Sequence, residues 1–223
     1  MCSKRILLIH IPKNSGTYIR KTSSATPPSI DFLKDEFRQE EKYYSDKRFL
    51  GLFKHVPASH IRDDMWSKYT HKLAVVRNPW SRLVSLYEDI HRINNIFEGT
   101  SYALNYNLTF DKFLDRIDRY THDKNFYYNH PYNHFSNQMN WINRDGNISV
   151  DVIRFENTSN DLWDYCKEIG KPKNVGKYEN DYKSYYNDKQ IQKVADFFSL
   201  DIEHWGFDFE SGATRNYWRK TEQ

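Results

Sequence analysis

Ile6-Leu7-Leu8-Ile9-His10-Ile11-Pro12-Lys13-Asn14-Ser15-Gly16-Thr17-Tyr18 is the stretch from which the rest of the chain is best read. The run from Ile6 to Ile11 is short, apolar and rich in branched side chains, and Pro12 stops it, which predicts a buried strand. Small polar residues and one glycine follow, and from Thr17 the sequence resumes as a helix. A strand, a tight loop and a helix start leave backbone N–H groups without helical partners, and the helix dipole adds positive charge there. Lys13 lies inside the turn, and Thr17 supplies a hydroxyl at the helix start. The expected ligand is an anion, a phosphate or a sulfate.

This is not a Walker A loop, which needs Gly-x-x-x-x-Gly-Lys-[Ser/Thr], because here the lysine precedes the glycine. A second stretch repeats the pattern. Lys72-Leu73-Ala74-Val75-Val76-Arg77-Asn78-Pro79-Trp80-Ser81-Arg82-Leu83-Val84-Ser85 reads as a buried strand, a turn, and a helix with proline at its first position. An NTPase would place an acid at such a strand end to hold magnesium, whereas this strand ends in Arg77. Ser81 and Ser85 share one helical face. A strand-end cation with hydroxyls behind it suits a second fixed anion.

Together these stretches resemble the sulfotransferases. Pro12-Lys13-Asn14-Ser15-Gly16-Thr17 is similar to their 5′-phosphosulfate loop, usually Pro-Lys-Thr-Gly-Gly-Thr, and Arg77 to Ser85 is similar to their 3′-phosphate motif. Gln138-Met-Asn-Trp-Ile, Asp145-Gly-Asn, Val150 to Asn157, and Asp201-Ile-Glu-His-Trp-Gly-Phe207 recur in order. The resemblance is closest to the carbohydrate branch that includes heparan sulfate 2-O-sulfotransferases. It implies a P-loop-like, three-layer α/β fold with a central, mostly parallel sheet flanked by helices. It also implies the donor 3′-phosphoadenosine 5′-phosphosulfate. Pro12, Lys13, Asn14, Ser15, Gly16, Thr17 and Tyr18 would hold its 5′ end, and Arg77 and Ser85 its 3′-phosphate. Lys13 would stabilise the leaving phosphate. His55 matches the catalytic histidine of the 2-O branch, and His134 and Gln138 match a block lining the acceptor side. In one departure, Asn14-Ser15 replaces Thr-Gly, so the loop loses a glycine and gains a Cβ near the sulfate.

A chain of 223 residues is long enough for one domain with a sizeable core. Its net charge of +3 is too small to indicate nucleic acid. The first thirty residues, however, carry Lys4, Arg5, Lys13, Arg20 and Lys21 and no acid, a local positive field suited to an anionic ligand. That charge gathers at a loop rather than along a stripe, which argues against a nucleic-acid partner. Cys2 and Cys166 are too few for a disulfide framework. The first apolar run is too short for a signal sequence or a membrane span, so the expectation is a soluble cytoplasmic protein of bacterial or viral origin.

Along the chain, a second strand is expected at 49–54, ending at His55, with a helix over 57–66. The segments 25–48 and 212–223 are expected to be mobile, and 93–137 to form an acceptor-side insertion rich in Asn and Tyr. Within it, Thr109 can cap a helix bearing Phe110, Phe113, Leu114 and Ile117. A strand is expected from Val150 to Phe155. A helix capped by Ser159, with Leu162, Cys166 and Ile169 inward, is expected to end at Gly170. A further helix carries Ile191, Val194, Ala195 and Phe198 on one face. Strands alternating with helices predict a parallel sheet whose ligand lies at the strands' carboxyl ends. Lys13, His55 and Arg77 each fall just beyond such an end.

A free imidazole titrates near ~6.5, within reach of neutral general-base work, which suits His55 to taking a hydroxyl proton. His60, within the following helix, reads as structural. Arg82 reads equally well as a donor contact or a surface residue. His130 and His134 have the i, i+4 spacing of a metal pair but lack further ligands, so no metal site is expected. Residues 171–177 could form a basic flap over the nucleotide. The leading reading is sulfuryl transfer to a carbohydrate hydroxyl. A non-catalytic nucleotide- or glycan-binding protein, or an enzyme acting on tyrosine or a small-molecule hydroxyl, stays open.

Overall fold

A computed structural model describes residues 6–16, 19, 30–31, 55–96, 109–115, 117, 135–166 and 181–219. Its strands are β1 (Ile6–Ile9), β2 (Ile30–Asp31), β3 (His71–Val76), β4 (Asn143–Arg144), β5 (Asn147–Ile148) and β6 (Asp151–Arg154). Four of them form a wholly parallel sheet in the order β2-β1-β3-β6, while β4 and β5 make a separate antiparallel hairpin. Ile6 pairs with His71 across β1 and β3, and Leu73 with Asp151 across β3 and β6.

Side chains alternate between the two faces of a strand, and both faces here are apolar. Leu7, Ile9, Ala74, Val76 and Val152 join one buried core, and Ile6, Leu8, Leu73, Val75 and Ile153 join the other. That pattern requires cover on both sides, the usual situation of a parallel sheet. Each large aliphatic side chain so buried contributes about 1.5–3 kcal/mol. The first face is covered by α2 (Pro79–Ile96), α3 (Phe110–Asp115), α4 (Met139–Ile142), α6 (Asp188–Phe197) and α7 (Ser199–Trp205), which follow α1 (Asp63–Trp66) in the chain. The second is covered by Ile19, just after the loop, and by α5 (Thr158–Tyr165). The fold is therefore the expected P-loop-like α/β arrangement, with a loop leaving β1 and helices on both faces.

Local chemistry explains several helix boundaries. Asn78 Oδ1 accepts from the N–H groups of Trp80 (3.0 Å) and Ser81 (3.3 Å), capping α2 ahead of Pro79. Asn187 and Gln190 form a reciprocal capping box at the start of α6. Thr109 Oγ1 accepts from Lys112 N at 3.4 Å, as its position before Phe110 predicts.

Three expectations need revision, and a fourth, the strand at 49–54, lies outside the described residues. The helix read over 57–66 divides into a 3-10 turn, Ala58–His60, and α1, because buried Ile61 takes an extended conformation between them. Helix α5 begins at Thr158 rather than after a Ser159 cap, and Cys166 has already left helical geometry (φ −143°, ψ 86°); Ile169 and Gly170 lie outside the described residues. The edge strand beside β1 is Ile30–Asp31, within a segment expected to be mobile. Residues 212–219 are not a detached tail. Ala213 is buried, Trp218 N donates to the Val152 carbonyl at 2.7 Å on the open edge of β6, and the Trp218 ring packs against Tyr165 at 5.1 Å. An edge strand offers unpaired backbone groups, and this segment occupies one of them.

Candidate active site

The loop leaving β1 has an unusual backbone. Lys13 (φ 68°) and Ser15 (φ 60°) are both left-handed, with Asn14 between them. Backbone of this kind gathers successive N–H groups on one concave side, which favours anions. The helix begins at Gly16, and Ile19 N donates to the Ser15 carbonyl at 3.0 Å. A Cβ on Gly16 would overlap the His10 imidazole, so the close approach of β1 and the loop depends on that glycine. Ser15 holds a backbone conformation that favours glycine, and it pays a left-handed strain of about 1–2 kcal/mol. Its hydroxyl has no hydrogen bond among the described residues. Ser15→Gly is therefore expected to raise the unfolding free energy by up to about 1 kcal/mol, after the entropy cost of glycine, and Ser15→Val to lower it. Urea denaturation of the two variants checks this, and a less stable glycine variant would refute the strain argument.

Asn14 points inward. Its Nδ2 donates to the Val75 carbonyl (2.7 Å) and to Gln138 Oε1 (2.5 Å). Gln138, fully buried, accepts from Arg77 N at 2.9 Å through the same Oε1. Its Nε2 donates to the Arg77 carbonyl (2.8 Å) and to Asp201 Oδ2 (3.2 Å). Asp201 also accepts from Gln138 N (2.8 Å) and Met139 N (3.0 Å). Burial pushes the Asp201 carboxyl up to about 6, while the Gln138 and Met139 N–H groups and the Arg82 guanidinium pull the other way. One side-chain amide thus joins the loop, the end of β3 and α7.

Arg77, just past β3, is 3% exposed and stacks with its Cζ 3.9 Å from the centre of the Phe155 ring. Its Nε and Nη2 donate to Ser81 Oγ at 2.9 and 2.7 Å, and Nη1 donates to the Lys13 carbonyl at 3.1 Å. Desolvation pushes its pKa down to about 10, so it remains a cation at neutral pH. Arg82 is buried as well. Its Nε donates to the Pro12 carbonyl (3.2 Å) and Nη1 to the Ser136 carbonyl (2.9 Å), which braces the loop from the opposite side.

Lys13 Nζ lies 3.1 Å from Asp89 Oδ2 on α2. His55 is buried with its Nδ1 2.9 Å from the His10 carbonyl, and the two imidazoles pack at 4.2 Å between centres. A carbonyl can only accept, so Nδ1 of His55 carries the proton and Nε2 is the basic nitrogen. His10 thereby touches both Gly16 and His55, setting the histidine beside the loop after β1.

A sulfotransferase family model matches residues 3–208. The chain belongs to the sulfotransferase family. Among solved structures, a crystal structure of a sulfotransferase from Alicyclobacillus acidocaldarius is similar at 15% identity, covering 91% of this chain and 94% of that one, with a TM-score of 0.42. A search of curated proteins returned no match.

In this sulfotransferase the residues expected from sequence fall into three groups. Lys13, Asn14, Ser15, Gly16, Arg77 and His55 gather around the β1 loop, with Pro12 offering its carbonyl to Arg82 and Ser85 half-buried one turn beyond Ser81 on α2. Thr17, Tyr18, His134 and the 171–177 segment lie outside the described residues. Gln138 corrects an expectation. Fully buried and bonded through both amide atoms, it cannot line an acceptor cleft and instead holds the loop to β3. Arg82 likewise is no surface residue.

Three residues of the candidate site were given no role by the sequence. Asp89 carries no local signal, since its partner Lys13 lies far along the chain, and Asp201 opens a block that resembles the family but shows nothing locally of its pairing with Gln138. Asn78 did carry one, as an Asn-Pro pair opening a helix. Its structure adds more than a cap: Nδ2 donates to the carbonyls of Asp208 and Ser211, both at 2.8 Å, and its backbone N–H to Glu156 Oε1 at 2.8 Å.

Proposed function

We propose that the chain moves a sulfuryl group from 3′-phosphoadenosine 5′-phosphosulfate to a carbohydrate hydroxyl. The observation that carries this reading is Arg77. It is a buried cation at the carboxyl end of a central strand, with no ion pair among the described residues. Three of its five N–H groups are committed, leaving two for an anion. Burying the charge is costly, the nearby Glu156 carboxyl offsets only part of that cost, and a phosphate would offset more. The left-handed loop at Lys13 and Ser15 offers the second anion seat. Two such seats fit a donor with phosphates at both the 3′ and 5′ positions. The carbohydrate acceptor is supported by the resemblance to the carbohydrate branch alone.

The donor supplies an activated sulfuryl group on a good leaving phosphate. Arg77 and the Ser85 hydroxyl hold the 3′-phosphate and so discriminate against ATP. Lys13 and the loop N–H groups face the charge that develops on the leaving oxygen, a preorganised electrostatic contribution. His55, held in one tautomer by the His10 carbonyl, takes the acceptor proton at Nε2.

Calorimetric titration with adenosine 3′,5′-bisphosphate, ATP and AMP tests the donor site. Tight binding of the bisphosphate alone is expected, with Arg77→Ala weakening it at least about tenfold, the loss of one or two charge-assisted hydrogen bonds. Equal or absent binding of all three nucleotides would refute the reading. Turnover on a panel of glycans tests the acceptor class. Bisphosphate binding with no turnover on any hydroxyl would leave a nucleotide-binding module.

A further inference from the structure

The face of α2 that looks at the loop carries Ser81, Ser85 and Asp89, each four residues from the last and so stacked along one side. Ser81 is bonded to Arg77, and Asp89 lies 3.1 Å from the Lys13 ammonium. A carboxylate is an odd neighbour for a site that is to receive two phosphate groups, because its charge opposes the ligand. Both members of the pair are only about one-fifth exposed (21% and 22%), so solvent screens their interaction incompletely.

We infer that Asp89 is a resting counter-ion that competes with the donor for Lys13. It holds the ammonium while the site is empty and releases it when the 5′-phosphate group arrives. The exchange weakens donor and product binding alike and so limits how long the spent bisphosphate stays. Asp89 is thus a positioning residue acting through Lys13, and the inference rests on the donor-site reading above. A purely structural ion pair predicts the opposite sign, because its loss would loosen Lys13 and weaken binding.

The test is calorimetry with adenosine 3′,5′-bisphosphate on the full chain, comparing wild type, Asp89→Asn, Lys13→Met and the double variant. Asparagine keeps the shape of the side chain and removes its charge. Asp89→Asn is expected to bind about three- to fivefold tighter, the upper end of the range for releasing one partly screened ion pair. In the Lys13→Met background the same change is expected to alter binding by less than about twofold, the signature of coupled residues. Unchanged or weaker binding by Asp89→Asn would overturn the inference. Equal tightening in both backgrounds would do so too, by indicating a general field rather than exchange of one lysine. Asp89→Ser, read beside its thermal unfolding midpoint, guards against a folding defect peculiar to one variant. Wild type that binds no bisphosphate would instead refute the donor site itself, a result seen before any variant is made.

Discussion

Replacing His55 with alanine is expected to lower kcat by about a hundred- to ten-thousandfold, the span of a lost general base, while donor-product affinity changes by less than about twofold. The split follows from where His55 sits. Its Nδ1 is committed to the His10 carbonyl at 2.9 Å, and it meets the anion loop through the His10 ring rather than through an anion-facing N–H. Its removal should therefore spare the groups that hold phosphate. His55→Asn sharpens the test, because an amide N–H can replace the bond to the His10 carbonyl without restoring a base. The measurement is turnover against pH on the best glycan acceptor, with bisphosphate titration alongside. A His55→Asn variant with near-normal kcat would show that the residue only props up the loop.

The largest effect on stability is expected at Gln138. Gln138→Leu leaves the Arg77 N–H and carbonyl without their partner and takes one donor from Asp201, all in a fully buried setting. Each buried group left unsatisfied costs about 1–3 kcal/mol, so a total loss on the order of 3–5 kcal/mol is expected. Urea unfolding measures it, and a loss below about 1 kcal/mol would mean that the network rearranges freely. Gln138→Glu gives a pH signature. The new carboxyl would sit where Gln138 Nε2 now lies 3.2 Å from Asp201, whose own carboxyl is already pushed up to about 6. Two buried carboxylates cannot both ionise cheaply, so the pair must keep a proton. Its folded-state pKa stands above the unfolded value. The variant's stability is therefore best at low pH and falls as pH rises through that folded-state value.

Short-range pattern was sufficient for β1, β3 and β6, for the Asn-Pro start of α2 and for the inward face of α6. Each depends on periodicity or capping among residues a few positions apart. The same holds for the loop after β1, where an apolar run, a proline and a glycine in sequence already imply a strand, a tight turn and a helix start. The left-handed backbone of Ser15 could not be read that way, because serine gives no sign of it.

Gln138 looked like a ligand contact for a related reason. Its motif marks its importance but not the direction of its side chain. Burial and the carbonyls of β3 made it a clamp instead. Asp201 lies 63 residues from Gln138, and Asp89 on α2 sits 3.1 Å from the Lys13 ammonium. Buried polar groups must pair with whatever the fold sets beside them. The loop itself is written in adjacent residues, but the residues that hold it in place, and the carboxylate that pairs with Lys13, were selected by packing.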